Sequence, residues 1–149
     1  MNKLTKQTGF TFAEIVIATM ILVVIFTGVM VTFIKCVELN ELSSNSSVAT
    51  AAARNKLMEI ENTPFNQVNA NYDNVPFVIN NLNGMGVTYI DDSTPGILTI
   101  TASVSWRQRN GRTIGEDADL DGQLDTGEDA NGNGQLNSII TFSTQRFDT

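Results

Sequence analysis

The longest pattern in the chain is a run of twenty residues without a charge, Ile15 to Ile34. It is entered through Gly9-Phe10-Thr11-Phe12-Ala13-Glu14 and preceded by a short polar segment carrying Lys3 and Lys6. At about 1.5 Å rise per residue such a run makes a helix of roughly 30 Å, enough to cross the hydrocarbon of a bilayer. It is too long for the core of a signal peptide, and no small-residue cleavage site follows it. The helical pattern continues beyond it. No Pro or Gly occurs from Lys35 to Asn62, and Ala49, Ala53, Leu57 and Ile60 recur at helical spacing until Pro64. The sequence therefore predicts one helix from about Thr11 to Glu61, with Ser43 to Ser47 as a weak stretch where it bends or loosens.

Past Pro64 the period changes from helical to alternating. Asn66 to Asn83 is rich in Asn and reads as turns and loops, within which Val75, Phe77 and Ile79 alternate as a short strand kept at an edge by Pro76. Asn83-Gly84-Met85-Gly86 reads as a turn and Val87 to Ile90 as a second strand. Ile97 to Arg107 is the clearest strand: Leu98, Ile100, Ala102, Val104 and Trp106 share one face, and Thr99, Thr101, Ser103, Ser105 and Arg107 the other. Ser138 to Arg146 pairs with it, turning Ile140 and Phe142 inward. The expected fold is α+β: a long N-terminal helix, half in membrane and half packed on a small antiparallel sheet. Its parts are a leader over 1–9, a membrane helix over 10–35, the outer half of the helix over 36–63, and a β-sheet domain over 64–149.

The N-terminal residues carry a resemblance. Gly9-Phe10-Thr11-Phe12-Ala13-Glu14 ahead of an apolar span resembles the start of type IV pilins and of type II secretion pseudopilins. Phe12 and Ala13 stand where Leu is commoner in that family. The Ala-rich helix end, Met58-Glu59 and Thr63-Pro64-Phe65 are similar to the minor-pilin branch called PilV and the small pseudopilin called GspI. The resemblance implies cleavage after Gly9 by a membrane prepilin peptidase and N-methylation of the new terminus, Phe10. It also implies partners: other pilin or pseudopilin subunits and an inner-membrane assembly platform. The basic leader on the cytoplasmic side would place the rest of the chain outside, as a single-pass inner-membrane protein that moves into a filament.

Glu14 has two readings. Thr11-Phe12-Ala13-Glu14 is a capping box, in which the acid satisfies the helix end. A carboxylate at the lip of a span is also costly and is by default a functional residue. In a filament it would pair with the Phe10 amine of a neighbour, since a buried charge is tolerated only when paired. On that reading Glu14 is the assembly residue.

Composition narrows the chemistry. The net charge is −7, and removal of Lys3 and Lys6 leaves seven basic against sixteen acidic side chains, which argues against nucleic acid as a partner. There is no His and one Cys, Cys36, so Cys–His and Ser–His catalysis and imidazole or thiolate metal sites are excluded. The chain is expected not to be an enzyme.

The acid is concentrated in a long insertion, Asn110 to Asn137, between the last two strands. There Asp117, Asp119, Asp121, Gly122, Asp125 and Glu128 satisfy the full D-x-[DN]-x-[DN]-G-x5-E pattern of a calcium loop. Alternating Asp117, Asp119 and Asp121 converge, the Gln123 carbonyl and Asp125 follow, and Glu128 offers two oxygens, a hard-oxygen set suited to Ca²⁺. A second copy starts at Asp129, with Asn131, Asn133, Gln135 and Asn137 at the next ligand positions. Its twelfth position is Ile140, which the strand pattern places in the core, so its closing carboxylate is missing. The plainer alternative is a solvated acidic loop; the complete pattern and the second register favour a calcium that folds the insertion into a rigid knob. Two functions stay open: a calcium-stabilised filament subunit, or a signal-anchored extracytoplasmic calcium-binding adhesion module that remains in the membrane.

Overall fold

The computed structural model describes residues 9–148, so the leader apart from Gly9 lies outside the described residues. The chain divides between Asn40 and Glu41 into two units, each described by itself. One α-helix, α1 (Phe12–Glu61), runs through that boundary. Within the first unit its apolar run is long enough to cross a membrane, and no residue of that run is buried. Phe12, Met20, Leu22, Phe26 and Phe33 all stand exposed. Cys36 is exposed as well.

Helical structure continues through Ser43 to Ser47, where a loosening was expected. The Ser47 hydroxyl donates to the Ser43 carbonyl at 3.1 Å, so a polar side chain is satisfied inside the helix and does not open it.

The second unit is an α+β domain. Four antiparallel strands follow in chain order: β1 (Val75–Val78), β2 (Gly84–Asp91), β3 (Ile97–Arg107) and β4 (Thr113–Ile114). A fifth, β5 (Ile140–Phe147), lies beside β4 on the far edge of β3. Ile114 is paired with Trp106, and Ile140 with Val104. The insertion therefore leaves the sheet edge at one place and returns almost beside it.

The core forms as the two periodicities require. Ala49, Ala53, Leu57 and Ile60 line one stripe of α1 and pack on Leu98, Ile100, Ala102, Val104 and Trp106 of β3. Each fully buried large aliphatic contributes about 1.5–3 kcal/mol. Trp106 is wholly buried, as a core residue should be. Ile140 and Phe142 of β5 are half-buried against the same cluster. Arg146 of β5 donates to the carbonyls of Ile60 and Thr63, tying β5 to the end of α1. Arg54 lies 5.4 Å from the Phe142 ring centre, a second tie between helix and β5.

Two local expectations are corrected. Phe65–Tyr72 is a helix, α2, not a loop. Its Asn residues favour turns, but Phe65, Val68 and Tyr72 lie at helical spacing and Val68 is fully buried, and that burial decides the conformation. Gly84 and Gly86 are likewise inside β2, not in a turn. A Cβ on Gly84 would meet Trp106, and one on Gly86 would meet the Phe77 ring, so these glycines serve close packing in a strand.

The close approach of α1 to β3 depends on the alanines, since Ala53 is wholly buried. Ala53→Leu should lower the stability of the full chain in detergent by about 1–3 kcal/mol through overpacking. The shift in the urea midpoint of Trp106 fluorescence measures it.

Candidate metal centre

The insertion is not a projecting knob. It folds back over the sheet face opposite α1. Leu136 is buried with Val87 and Tyr89, and its N–H donates to the Tyr89 hydroxyl at 2.7 Å. Ser103 and Ser105, on the polar face of β3, are buried as well. Gly122 has φ +77° and abuts Pro76 and Met85, so a Cβ would be both strained and blocked. At the base of the insertion, Glu116 donates its N–H to the Asn137 carbonyl at 2.8 Å. Arg107, at the end of β3, donates to the Ala118 carbonyl at 2.6 Å.

Within the first loop, Asp117 is the hub. Its Oδ1 accepts the N–H groups of Leu120 and Asp121, and its Oδ2 that of Gly122 at 3.0 Å. Asp119 accepts the N–H of Asp121, and Asp121 that of Gln123. Glu128 closes the loop: Oε1 accepts the N–H of Ala118 at 2.7 Å, Oε2 that of Asp125 at 3.1 Å. The carboxylate oxygens of Asp117, Asp119 and Glu128 lie within 4.8 Å of one another, as do those of Asp119, Asp121 and Asp125. Each of these two groups of three is close enough to hold a metal ion.

The electrostatics point the same way. Asp117 and Glu128 are buried. Burial pushes the Asp117 carboxyl above its ordinary value, and the charge of Glu128 adds to the push, against the N–H bonds from Leu120 and Gly122. Ionised near neutrality, such a carboxylate costs folding free energy, and a cation held between the two acids would remove that cost.

The second loop repeats the first in backbone and bonding. Positive φ falls at Gly115, Leu120 and Gly122, and again twelve residues on at Gly127, Gly132 and Gly134. Asp129 accepts the N–H groups of Gly132, Asn133 and Gly134 at 2.7, 3.0 and 2.8 Å. Asn131 accepts that of Asn133, and Asn133 that of Gln135. The N–H bonds from Gly134, Asn133 and Gly132 hold the Asp129 carboxyl below its ordinary value.

One expectation is overturned here. The second loop does have a closing carboxylate, and it is Glu116. Its Oε1 accepts the N–H of Ala130 at 3.2 Å and its Oε2 that of Asn137 at 2.7 Å. In loop numbering these are positions two and nine, the same two amides that Glu128 takes in the first loop. Each Glu stands just before the first Asp of one loop and closes the other. The signal was in the sequence, where Gly-Glu-Asp-Ala occurs at Gly115 and again at Gly127. Ile140, the nominal twelfth position, is paired with Val104 in the sheet.

At the other end of the chain, Gly9 and Phe10 are exposed ahead of α1. The capping box forms: Glu14 Oε2 accepts the Thr11 N–H at 2.8 Å, and Thr11 Oγ1 accepts the Glu14 N–H at 3.3 Å.

The chain matches no family model, no curated protein and no solved structure.

Because Glu116 holds amides of the second loop only, Glu116→Ala should speed hydrogen exchange at Ala130 and Asn137 several-fold. Ala118 and Asp125, held by Glu128, should keep wild-type rates; equal loss of protection in both loops would contradict reciprocal closure.

Proposed function

We propose that the chain is a structural subunit, a minor pilin or pseudopilin, of a type IV pilus-like or type II secretion filament. In this reading a prepilin peptidase cuts after Gly9, Phe10 is methylated, and the subunit is stored in the inner membrane with its sheet domain outside. It then packs by α1 against other subunits at the assembly platform. The observation that carries the reading is the union of the Gly9-Phe10 junction and Glu14 with a helix whose apolar half is unburied. Large apolar surface left exposed marks a surface made for lipid or for protein partners. The chain is a substrate of the peptidase, and no catalytic role is assigned to its own residues.

The insertion supplies the second part of the proposal, a structural Ca²⁺. Asp117, Asp119, Asp121, Asp125 and Glu128, with the Gln123 carbonyl, would hold it in the first loop. Asp129, Asn131, Asn133, Asn137 and the Gln135 carbonyl, with Glu116, form a weaker second loop, because amide oxygens carry no charge. What supports calcium over a smaller ion is the number of hard oxygens in a loop with no imidazole or thiolate. Its role is to neutralise acids that the fold brings together, and so to fix the insertion against Val87 and Tyr89.

Intact-mass measurement on chain extracted from membranes that contain the peptidase tests the first part. The expected N-terminus is methylated Phe10. A chain that still begins at Met1 supports instead the signal-anchored adhesion module.

Titration calorimetry with calcium on the purified full chain in detergent tests the second. Extracellular modules of this kind bind at roughly 10⁻⁴–10⁻³ M. Chelation should lower the melting temperature and expose Gly111 to Gly134 to protease, and Asp117→Asn should abolish the tighter heat. Absence of any calcium heat or stabilisation rejects the metal.

A further inference from the structure

The second loop contains two adjacent Asn-Gly pairs, Asn131-Gly132 and Asn133-Gly134, and all four residues are exposed. Asn followed by Gly is the pair most open to cyclisation, because a glycine amide has no side chain to hinder its approach. The glycine nitrogen, once it loses its proton, attacks Cγ of the Asn. A new N–Cγ bond forms, the Cγ–Nδ2 bond breaks, and ammonia leaves carrying the displaced proton. Water then opens the succinimide at either carbonyl, giving aspartate or isoaspartate. No other reactant is needed.

In the folded loop one side chain opposes the first step, loss of the glycine proton. The N–H of Gly132 donates to Asp129 Oδ1 at 2.7 Å, and that of Gly134 to Asp129 Oδ2 at 2.8 Å. A proton held by a carboxylate is hard to remove, since the anion left behind would face a second negative charge. The Asn side chains are held in place as well, which restricts the rotation that attack requires: Asn131 Oδ1 accepts the N–H of Asn133, and Asn133 Oδ1 that of Gln135. We propose that Asn131 and Asn133 are sites of spontaneous deamidation, held closed by the carboxylate of Asp129.

Two other Asn-Gly pairs in the chain serve as internal references. Gly84 is held in β2 opposite Trp106. Gly111 donates its N–H to the Gln108 carbonyl at 2.9 Å. Neither involves Asp129. The products differ in consequence. Aspartate at 131 or 133 replaces a neutral amide with a charged carboxylate, whereas isoaspartate adds a backbone methylene to a loop built on left-handed turns at Gly132 and Gly134.

The proposal stands on the bonds of the metal-free loop and does not depend on calcium. Full-length chain in detergent, with chelator present, is incubated at mildly alkaline pH, and deamidation is followed by peptide mass mapping. Asp129→Asn keeps the shape and one acceptor oxygen, and Asp129→Ala removes both. The expected result is a several-fold faster conversion at Asn131 and Asn133 in Asp129→Ala, less in Asp129→Asn, with Asn83 and Asn110 unchanged. Wild-type rates at Asn131 and Asn133 in both variants would overturn it. So would acceleration that spreads equally to Asn110, which would show general loosening and not a local guard.

Discussion

Twenty-three residues from Gly115 to Asn137 run without a helix or a strand, yet they cover a sheet face. Their backbone N–H groups must find acceptors outside a ladder, because an unpaired buried amide costs about as much as a lost hydrogen bond. Four carboxylates meet most of that demand. Asp117 and Asp129 each take three amides, and Glu116 and Glu128 each take two. The acid that dominates the net charge is thus the internal skeleton of the insertion. In the first loop the arrangement that satisfies the amides also brings acids close enough together to hold a metal ion.

Much of the fold was legible because each element obeys one period. The stripe Ala49, Ala53, Leu57 and Ile60, and the alternation from Leu98 to Trp106, meet in a single core. Where two signals compete at one position, composition misleads. Asn-rich Phe65–Tyr72 forms a helix because Val68 has a place in the core. Gly84 and Gly86 sit in a strand where the neighbouring β3 backbone at Ser105 and Trp106, and the Phe77 ring, leave no room for a side chain. Neither neighbour is close in sequence, so a local reading had no access to them.

The first loop was legible as a ligand pattern because its acids and its closing Glu128 lie within one stretch. The second was legible only in part. Its closing acid precedes it by thirteen residues, at Glu116, on the far side of the first loop. Packing of the insertion on Val87 and Tyr89 was hidden for a related reason. Leu124 and Leu136 occupy equivalent positions in the two loops, and only the second is buried. Which leucine meets the sheet depends on how the paired loops are set on the face, a long-range choice that twelve-residue similarity does not record.

The exchange of closing acids also has a consequence for how the segment can change over generations. Tandem copies commonly behave as independent beads, and the loss of one shortens the string without harm to the next. Here deletion of Asp117 to Glu128 would leave the second loop with Glu116 at its own threshold and no acid arriving from across. The first loop carries Glu128 within its own twelve residues, so the dependence runs one way: the second loop needs the first. The two ends of the pair meet where the Glu116 N–H bonds the Asn137 carbonyl, so both loops share one entrance to the sheet.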